Sequence, residues 1–289
     1  MAWKDCPLGV CSWSLRARSI PELKRLMAAV GARWVQIACG DPHHASWDEG
    51  DGMPAAAREA GLAMSGAMIG FPGEDYTSPQ TIAATGGFGA PATRPGRFEV
   101  LAWALQRTWD LGLTDLTFHA GFIPERTTSD YAGFVEALGR AASMALPYGI
   151  SLGLESGQET AAELHQFLSD LKCPNVRINF DPANMLLYDR DEPLAALERL
   201  FPFVRSVHLK DAWRPKERGT WGTEVPLGDG GIGLANFLSL LGRLEFAGPL
   251  MVERETGSQE ERVRDISLAL TRVRALVPEL AEPASAGGD

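Results

Sequence analysis

Gly153-Leu154-Glu155-Ser156, Asn179-Phe180-Asp181-Pro182, Val207-His208-Leu209-Lys210 and Met251-Val252-Glu253-Arg254 share one pattern. Each is a short apolar run of the kind that forms a buried parallel strand, and each ends in one side chain able to bind a metal. Asp181 follows Glu155 by 26 residues, His208 follows Asp181 by 27, and Glu253 follows His208 by 45. The two shorter gaps fit a strand with one covering helix and its loops, and the longest fits the same unit with an insertion. Three carboxylates and an imidazole therefore arrive at the same end of four neighbouring strands. In a closed parallel barrel that end carries the active site.

The alternation continues in both directions from these runs. Strands are expected over 8–15, 34–40, 62–70, 113–121, 150–156, 176–184, 204–211 and 249–255. Between them lie helical patterns, the first opened by Ser19 as cap with Pro21 in its first turn and ended near Gly31. The reading is an α/β chain folded as one (β/α)8 (TIM) barrel domain over residues 1–277, with a small-residue tail at 278–289. A doubly wound open sheet also alternates strand and helix, but Leu8-Gly9-Val10-Cys11-Ser12 lacks the Gly-x-Gly-x-x-Gly turn of the dinucleotide-binding version. Residues 71–97 form an irregular stretch rich in Gly, Pro and Thr, either a lid or a passive insertion. Residues 212–233 account for the long third gap. Their glycine cluster, Gly228-Asp229-Gly230-Gly231-Ile232-Gly233, is an anion-binding loop or, more simply, a tight turn.

A formal net charge of −10 argues against a nucleic-acid surface, because binding the phosphate backbone takes clustered Lys and Arg. A neutral or weakly charged small molecule is the expected partner. Four cysteines without a Cys-x-x-Cys spacing are too sparse for a disulfide framework and fit reduced thiols in a cytoplasm. No apolar run approaches a membrane span, and the first residues lack the basic and apolar regions of a signal peptide. The expected setting is soluble and cytoplasmic, with no membrane partner. A homo-oligomer is compatible with this reading.

Any one of Glu155, Asp181, His208 or Glu253 alone would more often be a paired strand-end residue than a ligand. Together they differ, because charged groups at the ends of apolar strands need compensation. Of the nearest strand cations, Arg177 lies at the wrong end of its strand and Lys210 at the right one. Three carboxylates and a neutral imidazole suit one divalent ion, Mn²⁺, Mg²⁺ or Co²⁺, with Zn²⁺ also accommodated.

These four residues, each at its strand end, resemble the xylose isomerase-like barrel superfamily, in particular the sugar-phosphate isomerase/epimerase group that includes the ketose 3-epimerases. The similarity runs from the first strand to the eighth. It implies one catalytic divalent metal held by Glu155, Asp181, His208 and Glu253. It also implies that Glu155 and Glu253 flank a sugar and exchange a proton with the carbon beside its carbonyl. Arg214, six residues beyond His208, stands where the family carries a substrate-contacting arginine. Asn184 replaces the histidine that in those epimerases follows the metal aspartate by three residues and contacts substrate.

His119, at the end of the fourth strand, either takes over that role or is structural. Trp13 either stacks on a sugar or plugs the barrel, His43 and His44 are read as loop residues, and Arg254-Glu255 as an ion pair at the rim. The endonuclease IV branch needs more histidines than the five here, with none just after Asp181. The implied activity is a metal-dependent sugar isomerase or epimerase working through an enediolate. Elimination from a keto-sugar and a non-catalytic sugar-binding barrel are the alternatives.

Overall fold

The computed structural model describes Trp3, residues 6–40 and residues 47–280. The chain runs β1 (Leu8–Cys11), α1 (Ile20–Val30), β2 (Trp34–Ala38), α2 (Met53–Glu59), β3 (Ala63–Met68), α3 (Pro79–Thr85), α4 (Arg94–Asp110), β4 (Asp115–Phe118) and α5 (Ser129–Ala145). It continues with β5 (Ser151–Glu155), α6 (Ala161–Leu171), β6 (Val176–Phe180), α7 (Pro182–Leu187), α8 (Pro193–Leu200) and β7 (Val204–Leu209). The last third is β8 (Asp211–Trp213), β9 (Thr223–Val225), α9 (Leu234–Arg243), β10 (Leu250–Val252) and α10 (Gln259–Leu276).

Strands β1, β10, β7, β6, β5, β4, β3 and β2 close in that order into a barrel, every pair parallel. The strands are buried on both sides, which explains their near-continuous apolar runs: Val10, Val35, Ile37, Leu116, Phe118, Leu152, Ile178, Phe180, Val207 and Leu209 are fully enclosed. Closure brings backbones close. A Cβ on Gly9 would stand 2.1 Å from the Trp34 carbonyl oxygen, so no other residue fits where β1 meets β2. Local chemistry starts and stops the helices as expected. Ser19 caps α1 by accepting from the Glu22 N–H, and Gly31 ends it at φ +70°. Thr160 with Glu163, and Ser258 with Glu261, form capping boxes at α6 and α10.

The strands are shorter than their apolar runs. The run expected over 8–15 leaves the sheet after Cys11 and becomes a 3-10 turn, Ser12–Leu15, that holds Trp13 over the barrel. The run expected to reach Asn184 stops at Phe180, where Asp181 caps α7 with Pro182 in its first turn. Residues 71–97 are not irregular throughout: they contain α3, opened by a Ser78–Thr81 capping box, and the start of α4. Arg97, 4% exposed, clamps this segment by donating to the carbonyls of Gly87, Pro72 and Thr85.

The insertion after β7 is an antiparallel hairpin of β8 and β9 followed by the glycine cluster. Here the tight-turn reading holds for a physical reason. The Asp211 carboxylate accepts from the N–H groups of Gly228, Gly230 and Ile232 at 3.0, 3.0 and 3.1 Å, so the chain's own anion fills the cradle. Pro278–Leu280 form a 3-10 turn with Leu280 buried, and the rest of the expected tail lies outside the described residues. His43 and His44 lie outside the described residues.

Candidate functional site

Glu155 is the last residue of β5, Asp181 follows β6, His208 is the next-to-last residue of β7 and Glu253 follows β10. Neighbouring strands in register bring one ligand atom from each to within 4.8 Å of all the others. All are buried: Asp181 and His208 are 0% exposed, Glu253 4% and Glu155 5%. His208 Nδ1 faces the carboxylates, 3.2 Å from Glu253 Oε2, 3.5 Å from Glu155 Oε1 and 3.9 Å from Asp181 Oδ2.

Its other nitrogen decides what Nδ1 is. Nε2 lies 2.7 Å from Gln36 Oε1, while the Gln36 amide nitrogen donates to Thr117 Oγ1 at 3.1 Å. An amide oxygen can only accept, so Nε2 carries a hydrogen. Burial opposes a second proton on the ring, but the facing Cys11, Glu253 and Glu155 raise its pKa well above the ordinary value, and a cation bound at Nδ1 would take that proton's place. With neither proton nor cation there, a lone pair at Nδ1 would face three carboxylates. The orphaned atoms agree: His208 Nδ1, Asp181 Oδ2 and Glu155 Oε2 are buried without a hydrogen-bond partner. Their inward convergence fits a metal ion, and the residues present can hold one.

The surroundings hold each ligand in place. Asp181 divides its carboxylate: Oδ1 caps α7, accepting from Ala183 N at 2.8 Å and Asn184 N at 3.0 Å, which leaves Oδ2 for the site. Asn184 donates its amide to Glu155 Oε1 at 2.8 Å. That contact depends on Gly157, at φ +128°, where a Cβ would stand 2.2 Å from Asn184 Cβ. Glu253 accepts from the Trp13 indole at 2.6 Å through Oε1, and Lys210 Nζ lies 3.3 Å from its Oε2. Lys210, 2% exposed, also bonds Glu255 and approaches Asp181 Oδ2 at 4.0 Å.

Burial resists charge on every carboxylate here. At Glu253 the Lys210 ammonium and His208 overcome it and hold the carboxyl well below its ordinary range. Glu155 is lowered too, with His119 and His208 offsetting its burial. At Asp181 burial wins over Lys210, helped by Glu253 and Glu155, and its pKa rises well above the usual value. A divalent cation held by these residues would supply the positive charge that the third carboxylate lacks.

Above this floor opens a cavity of about 810 Å³ at the C-terminal mouth of the barrel. Trp13, His119, Asn184 and Glu253 line it. His119 Nε2 lies 3.6 Å from Glu155 Oε2 and its ring lines the cavity. Trp13 lines the cavity and donates its indole N–H to Glu253, a contact that neither of the two readings for it contained.

Arg214 is not brought to the cavity. It follows β8 and is held by Asp189 at 2.9 Å and Glu192 at 2.7 Å. Arg254 and Glu255 are not partners of each other: Arg254 pairs with Glu224 and Asp265, both at 2.9 Å, and Glu255 with Lys210. Gln36 was not singled out in the sequence, although a lone amide inside the apolar run Trp34–Ala38 is a readable signal. Tyr76, Tyr188, Trp221 and Glu224 were missed because the loops that carry them meet only in the folded barrel.

The family described as xylose isomerase-like TIM barrel matches residues 24–273. Among solved structures, a xylose isomerase domain protein from Planctomyces limnophilus is 32% identical with a TM-score of 0.86, over 96% of this chain and 99% of that one. An L-ribulose 3-epimerase aligns at 17% identity and a TM-score of 0.70, over 98% of this chain and all of its own. A xylose isomerase-like TIM barrel protein from Mycobacterium smegmatis, in complex with magnesium, aligns at 15% identity and 0.68, over 95% and 98%. No curated protein matches the chain by sequence. Among the described residues no helix is long and apolar enough to cross a membrane. A match over most of the chain, together with a 32% identical structure covering nearly all of it, places the chain in the xylose isomerase-like TIM barrel family.

Proposed function

We propose that the protein is a divalent-metal-dependent isomerase or epimerase of a ketose or keto-sugar, which moves a proton on and off the carbon beside the carbonyl. One observation carries this reading: two glutamates, Glu155 and Glu253, share a buried metal-competent cluster at the floor of an open cavity. The set of three carboxylates and one imidazole suits Mn²⁺, Mg²⁺ or Co²⁺. When bound, such an ion polarises the carbonyl and stabilises the negative charge that develops as the proton leaves.

The residues of the chain do the rest. Glu155 ends β5 and Glu253 follows β10, with β6 and β7, which carry Asp181 and His208, between them, and in this reading the two glutamates serve opposite faces of the substrate. One removes the proton and the other returns one, which gives epimerisation, or isomerisation if the proton returns to the neighbouring carbon. Asn184 and Trp13 each occupy one carboxylate oxygen and fix the direction of the other. Glu155 Oε2 has no hydrogen-bond partner and lies 3.6 Å from His119 Nε2. His119 beside it is placed to bind a substrate hydroxyl. Lys210 keeps Glu253 ionised and thus ready to act as a base.

The test is metal removal and return with a panel of free ketoses and keto-sugars as substrates. Chelated protein should be inactive, and about one equivalent of Mn²⁺ or Co²⁺ should restore turnover. Asp181→Ala and His208→Ala should lose both metal and activity. Full activity in chelated protein, or a full metal equivalent in both variants, would refute the proposal.

A further inference from the structure

The cavity wall is more specific than the floor. At about 810 Å³ the cavity lies toward the upper end of the ~300–1,000 Å³ spanned by ligand pockets, a size that takes a drug-sized molecule rather than a single sugar ring. Its upper wall is aromatic. Trp221, from the hairpin after β7, packs on Tyr188 with ring centroids 4.7 Å apart, and its indole donates to the Tyr76 carbonyl at 3.2 Å. The Tyr76 ring reaches down toward His119, 6.1 Å between centroids. Three loops thus place aromatic faces between the rim and Glu155, and Trp13 adds another on the Glu253 side.

The charges of the wall are as telling. Glu74, Glu224, Glu253 and Glu255 line the cavity, and among the described residues Lys210 is its one lining Lys or Arg. Lys210 is already committed to Glu253 and Glu255. Recognition of a phosphate needs free arginines or a backbone cradle. The cradle nearest this mouth, at Gly228–Ile232, is filled by Asp211.

From size, aromatic lining and charge together we infer the substrate class: an unphosphorylated, uncharged keto-sugar bearing a second ring, a glycoside with a sugar or aryl group, whose second ring lies against Trp221, Tyr188 and Tyr76. The inference rests on the proposed function for what happens at the floor and adds what is held above it. Aromatic faces favour the C–H face of a sugar or an aryl ring by burying apolar area. A phosphate would be desolvated there with no free lining Lys or Arg, among the described residues, to pair with it.

The test compares 3-keto-D-glucose, its phenyl β-glycoside and its 6-phosphate on Mn²⁺-loaded wild-type protein. Binding is followed by tryptophan fluorescence, and deuterium entry beside the carbonyl is followed in D₂O by NMR. The phenyl glycoside should bind about tenfold or more tightly than the free sugar, and the phosphate about tenfold or more weakly. Trp221→Ala should bring the first ratio down to about threefold or less, and Trp221→Phe, which keeps a ring but not the indole N–H, should largely preserve it. A phosphate ester that binds as well as the free sugar, a phenyl glycoside with no advantage, or no binding by any of the three would overturn the inference. The two claims fail separately. Discrimination in binding with no deuterium entering any probe refutes the proton-transfer reading and keeps the substrate class. Deuterium entering all three with equal affinities does the reverse.

Discussion

Replacing Gln36 with Leu removes the acceptor that decides which nitrogen of His208 is free. The change is close to isosteric, so its effect is on hydrogen bonding more than on packing. Gln36 is 3% exposed and joins three strands: its Oε1 is 2.7 Å from His208 Nε2, Cys11 Sγ donates to the same oxygen at 3.7 Å, and its amide donates to Thr117 at 3.1 Å. In Gln36→Leu the buried Nε2–H has no acceptor, which costs about 1–3 kcal/mol. The ring can escape that cost by moving its proton to Nδ1, where it would face Glu253 at 3.2 Å and block the position a metal needs. Losing an outer partner of a metal-binding histidine typically weakens the metal about 10- to 100-fold, or roughly 1.4–2.7 kcal/mol. Gln36→Glu keeps an acceptor at Nε2 and makes the ring more basic, so it should retain wild-type affinity within about threefold. Competition of Mn²⁺ or Co²⁺ against a fluorescent chelator measures the difference, with far-UV circular dichroism to confirm the fold. A folded Gln36→Leu protein that binds metal within about twofold of wild type would show that this amide does not set the tautomer.

Gly157→Ala should be costly without touching a ligand. It places a Cβ at φ +128° and 2.2 Å from Asn184 Cβ, so strain and overpacking should destabilise the protein by about 2–5 kcal/mol in urea unfolding and disrupt the Asn184 contact to Glu155. Glu159, 6% exposed, has its carboxyl pushed up to about 8 by burial. Its folded pKa is above the unfolded value, so the folded state holds the extra proton and stability should fall as pH rises from about 5 through 8. The slope is at most about 1.4 kcal/mol per pH unit, and Glu159→Gln should flatten it in unfolding titrations at pH 5.5 and 8.5. Asp211→Ala should strip the glycine cradle of its anion, leaving four backbone N–H groups without their acceptor. A loss of about 3 kcal/mol or more in thermal or urea unfolding is expected, with Asp211→Asn milder.

The ligand set could be read from the sequence because each member is a polar residue at the end of an apolar strand, a place where only pairing or a metal compensates burial. The helices were legible where local chemistry starts them, as at Ser19, Thr160 and Ser258. Strand ends were not, since apolar runs continue beyond the last ladder bond: Trp13 and Asn184 lie on turns and helices that follow their strands. The Asp181-Pro182 pair carried a helix-start signal that the strand reading overran. Lys210 meets Glu255 because β7 and β10 are neighbours in the barrel, and Glu224 joins them because the β8–β9 hairpin folds back over the mouth, which no local pattern encodes. Arg214 shows the opposite limit. Its spacing from His208 matches the family position, but Asp189 and Glu192 hold it outside the cavity.

The central claim is that Glu155 and Glu253 transfer the proton while the metal stays bound. Its most direct measurement is deuterium entry beside the carbonyl of a turned-over substrate in D₂O, for wild type, Glu155→Gln and Glu253→Gln, with metal content determined on the same samples. Gln keeps an oxygen ligand but cannot take the proton, so metal should remain near one equivalent while the rate falls roughly 10²- to 10⁴-fold. A variant that still exchanges deuterium but no longer forms net product identifies the glutamate that returns the second proton. Wild-type turnover without solvent deuterium in the product, together with near-full activity in both Gln variants, would contradict the account.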